Sequence, residues 1–142
     1  MSREKKIETI KKVSSVLAYL LELKKKGQYQ HGIDLIDDTL SSYFNFEEGD
    51  IQKVSEEFLQ QVLEKTHSIT PDVINSLGDL MREKGSFLYA QNRLKESKEI
   101  LRNALTIYFY LNEQQDFFSF ERMNKMVMIN KKLSQINLKV EY

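Results

Sequence analysis

The spacing of apolar residues constrains this chain more than any other feature, because they recur at steps of three and four positions along most of its length. The first stripe contains Ile7, Ile10, Val13, Leu17, Leu20 and Leu21. The second stripe contains Tyr29, Ile33, Ile36, Leu40 and Tyr43. Such spacing places apolar side chains on one face of an α-helix. Since one proline and five glycines leave little material for the turns of an all-β fold, the sequence predicts an all-α fold.

About six helices are predicted, and the 142 residues fit one domain of the usual size, about 100–200 residues. The helices are expected over residues 3–26, 28–44, 50–65, 71–91, 93–111 and 117–135, with residue 55 as an alternative start for the third. A turn is expected at 112–116 and a loose tail from about residue 137. Residues 1–142 are therefore predicted to form a single helical domain.

Local signals mark several helix ends. Ser2 is suited to cap the first helix, and Thr70 followed by Pro71 is a strong start signal for the fourth. Gly27 and Asn92 are suited to end the helices before them, because both residue types tolerate the left-handed backbone conformation.

Composition bounds the cellular setting. The chain has no cysteine, so neither a disulfide framework nor a thiolate zinc site can form. No apolar run approaches the roughly 18–20 residues that a membrane-spanning helix needs, so no membrane partner is expected. The charged N-terminus continues directly into helical periodicity and lacks the apolar core of a signal peptide. A cytoplasmic location is therefore expected.

Two predicted helical hairpins share a spacing of small and large residues. The fourth and fifth helices carry this pattern in Met81, Gly85, Leu88, Ser97, Leu101 and Ala104. The small residues stand where two helices would approach closely, and the large ones fill the space beside them. A weaker copy in the first two helices contains Val16, Leu20, Leu23, Gly27, Tyr29, Gly32, Ile36, Thr39 and Leu40.

This spacing resembles the tetratricopeptide repeat (TPR) over about residues 13–44 and 78–111. The whole arrangement is also similar to an uncharacterised bacterial family of short TPR-like proteins. The resemblance implies two TPR-like hairpins, a short linking helix and a C-terminal capping helix, used in protein–protein interaction. Some TPR domains bind C-terminal carboxylates through a Lys/Asn clamp. The corresponding positions here are Leu17 and Leu21, so the resemblance does not extend to that clamp.

Catalytic and metal-binding patterns are weak. Glu64 and His67 have the spacing of a di-iron ligand pair, but Gln28 occupies the matching position before His31, so a second copy is absent. No nucleophile triad, phosphate-binding loop or dinucleotide-binding glycine pattern is present. We therefore expect a protein that is not an enzyme and has no catalytic residues, metal, cofactor or small-molecule substrate.

Charge is segregated along a chain whose formal net charge is zero. Residues 1–30 sum to +5, residues 31–64 to −8, residues 65–116 to zero and residues 117–142 to +3. A small regulator that binds nucleic acid through the basic first helix is the alternative function. The near-neutral isoelectric point of 6.8 and the interleaved glutamates make nucleic acid a disfavoured partner.

The predicted sixth helix carries apolar residues on three sides. Phe117 and Met128 point one way, and Phe120, Met123 and Val127 point a second way. The third side contains Phe118, Met126, Ile129, Leu133 and Ile136. Either other parts of the chain cover the extra side, or it contacts a protein partner or a second copy of the chain. The leading hypothesis is a non-catalytic helical scaffold that binds a protein, with a homodimer as one form. The candidate partner-binding residues are Tyr110, Phe117, Phe118, Met123, Met126 and Ile129.

Overall fold

The computed structural model describes residues 2–44, 46, 71–113 and 118–141. These residues form five helices, which are α1 (Arg3–Lys25), α2 (Tyr29–Phe44), α3 (Pro71–Ala90), α4 (Leu94–Glu113) and α5 (Phe120–Glu141). No strand occurs within these ranges, so the predicted all-α class is confirmed. The helix predicted over 50–65 lies outside the described residues.

The predicted helix-end signals act as expected. The hydroxyl of Ser2 accepts a hydrogen bond from the backbone N–H of Lys5 at 3.1 Å, which makes Ser2 the N-cap of α1. Pro71 is the first residue of α3, although Thr70 lies outside the described residues. Gly27 and Asn92 both adopt the left-handed conformation, with φ of 69° and 62°, directly after α1 and α3. These local predictions are confirmed.

Two helix lengths differ from the predictions. Helix α4 continues to Glu113, so residues 112 and 113 are helical rather than part of the turn expected at 112–116, and residues 114–116 lie outside the described residues. Helix α5 begins at Phe120 and continues to Glu141, so the segment from residue 137 is helical rather than loose. Tertiary contacts explain the longer α5, because Ile136 is fully buried and the ammonium of Lys139 lies 4.6 Å from the centre of the Tyr89 ring.

Helix α3 is the centre of the structure. It packs against α1, α2 and α4, and α5 packs against α4. Its fully buried side chains include Leu80, Met81 and Phe87, which join residues of α1, α2 and α4 in one hydrophobic core. Ile129 and Ile136 extend this core to α5. The position of α5 is therefore set by the α3–α4 hairpin.

The predicted close approach at Gly85 is confirmed. A Cβ atom added to Gly85 would lie 2.5 Å from Cδ2 of Leu101, a distance that real Cβ contacts essentially never show. The hydroxyl of Ser97 donates a buried hydrogen bond of 2.7 Å to the carbonyl oxygen of Gly85. At this point the backbone of α3 therefore contacts side chains of α4 directly.

A first prediction concerns the cap of α1. Ser2→Ala should lower the free energy of unfolding by about 1 kcal/mol, because the N–H of Lys5 loses its side-chain acceptor. Urea unfolding followed by circular dichroism measures the change. The matched control is Ser15→Ala, at an exposed position inside α1 where alanine favours the helix. Equal losses in the two variants would contradict the capping role.

Candidate functional site

Helix α5 has an inner and an outer face. Arg122, Ile129 and Ile136 are buried on the inner face. Phe120 and Val127, on the opposite side, have 80% and 61% of their surface exposed. Because the helix is apolar on both faces, it differs from a surface helix with a single apolar stripe.

The five described members of the predicted partner-binding set differ in burial. Ile129 is only 2% exposed and belongs to the core, so it is not part of an exposed face of α5. Tyr110 and Met126 are half-buried and pack against that core. Phe118 and Met123 are exposed, and Phe117 lies outside the described residues.

The outer face of α5 contains the exposed residues Phe120, Met123, Val127 and Leu138, and the exposed Phe118 lies two residues before the helix. The rings of Phe118 and Phe120 meet edge to face, with centroids 5.3 Å apart. Phe120, Val127 and Leu138 are more exposed than any described member of the predicted set. Their seven- and eleven-residue spacing, two and three helical turns, is the sequence signal that could have identified them.

A buried ion pair fixes α5 against the α3–α4 hairpin. The carboxylate of Asp79 on α3 accepts hydrogen bonds from the hydroxyl of Tyr108 on α4 and, at 2.8 Å, from the ammonium of Lys125 on α5. The side chains of Asp79 and Lys125 are only 12% and 18% exposed. Burial, together with the charge and hydrogen bond of Asp79, raises the pKa of Tyr108 far above its ordinary value, so its hydroxyl stays a donor. One carboxylate therefore joins three helices.

A second polar contact fixes the start of α5. The guanidinium of Arg122 donates to the side-chain oxygens of Asn75 at 3.0 Å and of Asn112 at 2.6 Å. The amide nitrogen of Asn112 also lies 3.1 Å from the sulfur of Met123 and 3.5 Å from that of Met126. These contacts orient the helix, so the outer face is a defined surface of the fold.

A cleft of about 220 Å³ lies where α1, α3 and α5 meet. Its charged and polar side chains are Lys24, Arg82, Glu83, Ser86 and Lys132, and its apolar ones are Leu101, Met128 and Ile129. Glu83 is paired with Lys24 at 3.1 Å and with Arg82 at 3.2 Å. Sequence reasoning missed this cleft, because its residues are separated by up to 108 positions and share no motif.

Lys132 has a different environment from the other two cations of the cleft. Its ammonium donates a long hydrogen bond of 3.5 Å to the hydroxyl of Ser86 and lies 4.8 Å from the centre of the Tyr89 ring. Burial and the nearby charge of Lys24 lower the pKa of Lys132. No carboxylate among the described residues lies within 4.0 Å of this ammonium.

The basic face of α1 is mixed in sign. Lys5, Lys11 and Lys12 are exposed, but Glu4 and Glu8 are exposed among them. Lys5 also lies over the ring of Tyr43, 5.5 Å from its centre. A surface of alternating sign neutralises few phosphates, so no observation favours the nucleic-acid alternative.

The described residues contain neither a group of metal ligands nor a membrane-spanning helix. Within residues 2–44, 46, 71–113 and 118–141, no three acidic or histidine side chains are grouped closely enough to hold a metal ion. Glu64 and His67 fall outside these ranges. In the same ranges, no helix combines the length and the apolar character needed to cross a bilayer.

The geometry thus offers two candidate binding surfaces, the outer face of α5 and the cleft between α1, α3 and α5. No protein-family model, curated protein or solved structure is significantly similar to this chain.

Proposed function

We propose that this protein is a non-catalytic helical scaffold of TPR-like hairpins that binds a protein partner through the outer face of α5. The observation that carries the proposal is the exposed apolar row formed by Phe120, Met123 and Val127 on a helix whose inner face is already buried. Contiguous apolar surface of this kind typically marks a protein contact.

The hairpin arrangement is supported by two equivalent turns. After α1, the N–H of Gln28 donates to the carbonyl of Leu23 at 2.9 Å. After α3, the N–H of Arg93 donates to the carbonyl of Leu88 at 3.0 Å. Each bond spans a left-handed residue, so both first helices end with the same six-residue closure. Such repetition is what a pair of related hairpins would give.

Stacked hairpins explain why the outer face matters. In a repeat array each unit covers the apolar face of its neighbour, and a terminal helix normally has a polar outer face. Helix α5 follows the second hairpin and packs on α4, but its outer face is apolar. Another polypeptide is therefore proposed to pack where a further repeat would stack. A second copy is the simplest partner, since like faces pair in a closed two-fold dimer.

The test is the oligomeric state. Sedimentation equilibrium should give the wild type a mass twice that of the 16.8 kDa chain. The double variant Phe120→Asp/Val127→Asp should sediment as a monomer, because two charges would be desolvated at the contact. Its helicity should change little, since both positions are exposed in the monomer, and its urea midpoint should no longer depend on protein concentration.

Control variants distinguish the loss of the dimer contact from a loss of folded structure. Ser15→Asp adds a charge at an exposed position of α1, a different helix from the one that carries the outer face, so it should remain dimeric. Met126→Asp is less suitable, because Met126 packs against the core and its replacement should also destabilise the monomer. A wild type that sediments as a monomer at every concentration would overturn self-association through α5.

A further inference from the structure

We propose that the cleft between α1, α3 and α5 binds an acidic side chain of a partner polypeptide, together with an adjacent apolar side chain. This inference rests on the proposed protein-binding function but concerns a different surface from the outer face of α5. The cleft lies between α1, α3 and α5, with Leu101 of α4 also in its lining, and the buried core and the Asp79–Lys125 ion pair hold these helices in place.

The first reason is the charge of the lining. Three cations, Lys24, Arg82 and Lys132, face a single carboxylate, that of Glu83. Glu83 is already engaged by the ammonium of Lys24 and the guanidinium of Arg82. The cleft therefore has a surplus of positive charge, and an anion is the ligand that it would stabilise.

The second reason is the desolvation of these cations. Lys132 is half-buried between α3 and α5, with Ser86 and the Tyr89 ring as its neighbours. Arg82 is paired with Glu83 through one terminal nitrogen at 3.2 Å, but within the described part of the chain its buried Nε has no hydrogen-bond partner. Buried charges are usually paired, because taking an unpaired charge out of water is costly. The lowered pKa of Lys132 follows from the same burial and is consistent with a functional site.

The third reason is the apolar part of the lining, which favours a peptide over a phosphate or a nucleic acid. Leu101 and Ile129 contribute buried apolar surface, and Met128, 70% exposed, lies beside Lys132. Methionine adapts its shape to varied apolar partners. A volume of about 220 Å³ accommodates one or two side chains rather than a whole small molecule. An acidic residue next to an apolar residue matches both halves of this lining.

The test begins with selection of ligands. Random dodecapeptides displayed on phage, joined to the coat protein at their C-terminus, are selected on immobilised wild-type protein. Selected sequences should be enriched in Asp or Glu beside Leu, Ile, Met or Phe. No enrichment of any sequence, or enrichment without acidic residues, overturns the proposal.

Affinity measurements then locate the site. A fluorescein-labelled peptide from the selection is titrated by anisotropy against the wild type, Lys132→Gln and Lys131→Gln. Lys131 is a matched control, since it is the neighbouring lysine on α5, is exposed and does not line the cleft. Lys132→Gln should weaken binding about tenfold, the effect of one charge-assisted hydrogen bond, whereas Lys131→Gln should change it less than about twofold. Equal losses in the two variants overturn the assignment to the cleft.

Comparators identify the ligand class. Replacing the acidic residue of the selected peptide with its amide should weaken binding as much as Lys132→Gln does. Inorganic phosphate or single-stranded DNA that binds more tightly than the peptide, and loses affinity in Lys132→Gln, would replace the peptide with a phosphate ligand and overturn the proposal.

A further variant separates this inference from the proposed function. Phe120→Asp/Val127→Asp, which should abolish pairing through α5, should bind the peptide as the wild type does, because neither residue lines the cleft. Peptide binding by a protein that never dimerises would leave the cleft assignment standing and self-association refuted. Dimerisation without peptide binding would support self-association and refute the cleft assignment. Thermal unfolding of Lys132→Gln should match the wild type, which excludes loss of binding through misfolding.

Discussion

Asp79→Ala is expected to lower the free energy of unfolding by about 3–5 kcal/mol, the range found when one partner of a buried ion pair is removed. The carboxylate of Asp79 accepts hydrogen bonds from Lys125 and from Tyr108, which come from two other helices. Without it, Lys125, whose side chain is only 18% exposed, would keep just the exposed carboxylate of Glu121 at 3.7 Å and the Tyr108 ring at 5.9 Å as weak alternatives among the described residues. The hydroxyl of Tyr108 would lose its acceptor at the same time.

Urea unfolding monitored by circular dichroism measures this loss. Glu99→Ala is the matched control, since it removes a carboxylate from an exposed position on α4 and should change stability by less than about 0.5 kcal/mol. Asp79→Asn should be milder than Asp79→Ala, because the amide oxygen still accepts a hydrogen bond while the ion pair is lost. Equal stabilities of Asp79→Ala and Glu99→Ala would show that the three-helix contact contributes nothing.

Helix ends and hairpin turns could be predicted from the sequence because local chemistry determines them. Ser2 caps α1 through a contact only three residues away. Gly27 and Asn92 end α1 and α3 because each can adopt a positive φ. The close approach of α3 and α4 at Gly85 involves residues farther apart in the sequence, but the spacing of small residues on these two consecutive helices predicted it.

The exposed face of α5 and the cleft were less predictable, since they depend on how the helices dock. Apolar residues on three sides of α5 indicate that at least one side is unusual, but they do not identify which sides the α3–α4 hairpin covers. Docking buries Ile129 and half-buries Met126, and it leaves Phe120 and Val127 exposed. Sequence spacing therefore indicated that α5 is apolar on several sides, but it did not separate the residues that docking buries from those that it leaves exposed.

The length of α5 and the cleft have the same explanation. Local propensity did not predict helix beyond residue 135, but burial of Ile136 and the contact of Lys139 with Tyr89 stabilise the last turns. The cleft brings together Lys24 and Lys132 from opposite ends of the chain. No local sequence pattern predicts this cleft, because its lining depends on the relative positions of several helices.

Gly85→Leu is expected to lower the free energy of unfolding by about 1–3 kcal/mol through overpacking. Its Cβ would lie 2.5 Å from Cδ2 and 2.6 Å from Cγ of Leu101, so α3 and α4 would have to separate. That separation would also stretch the buried 2.7 Å hydrogen bond from Ser97 to the carbonyl of Gly85. Leucine gains about 1 kcal/mol of helix propensity over glycine, which offsets part of the loss.

A double-mutant cycle with Leu101→Ala identifies the cause. Leu101→Ala alone should cost about 2–5 kcal/mol, because Leu101 is fully buried and its removal leaves a cavity. In Gly85→Leu/Leu101→Ala the new leucine side chain can occupy the space that Leu101 vacates. The double variant should therefore be more stable than the sum of the two single effects by at least about 1 kcal/mol, which urea unfolding can measure. Additive effects would mean that the two residues do not touch, and the close approach of α3 and α4 at Gly85 would then be refuted.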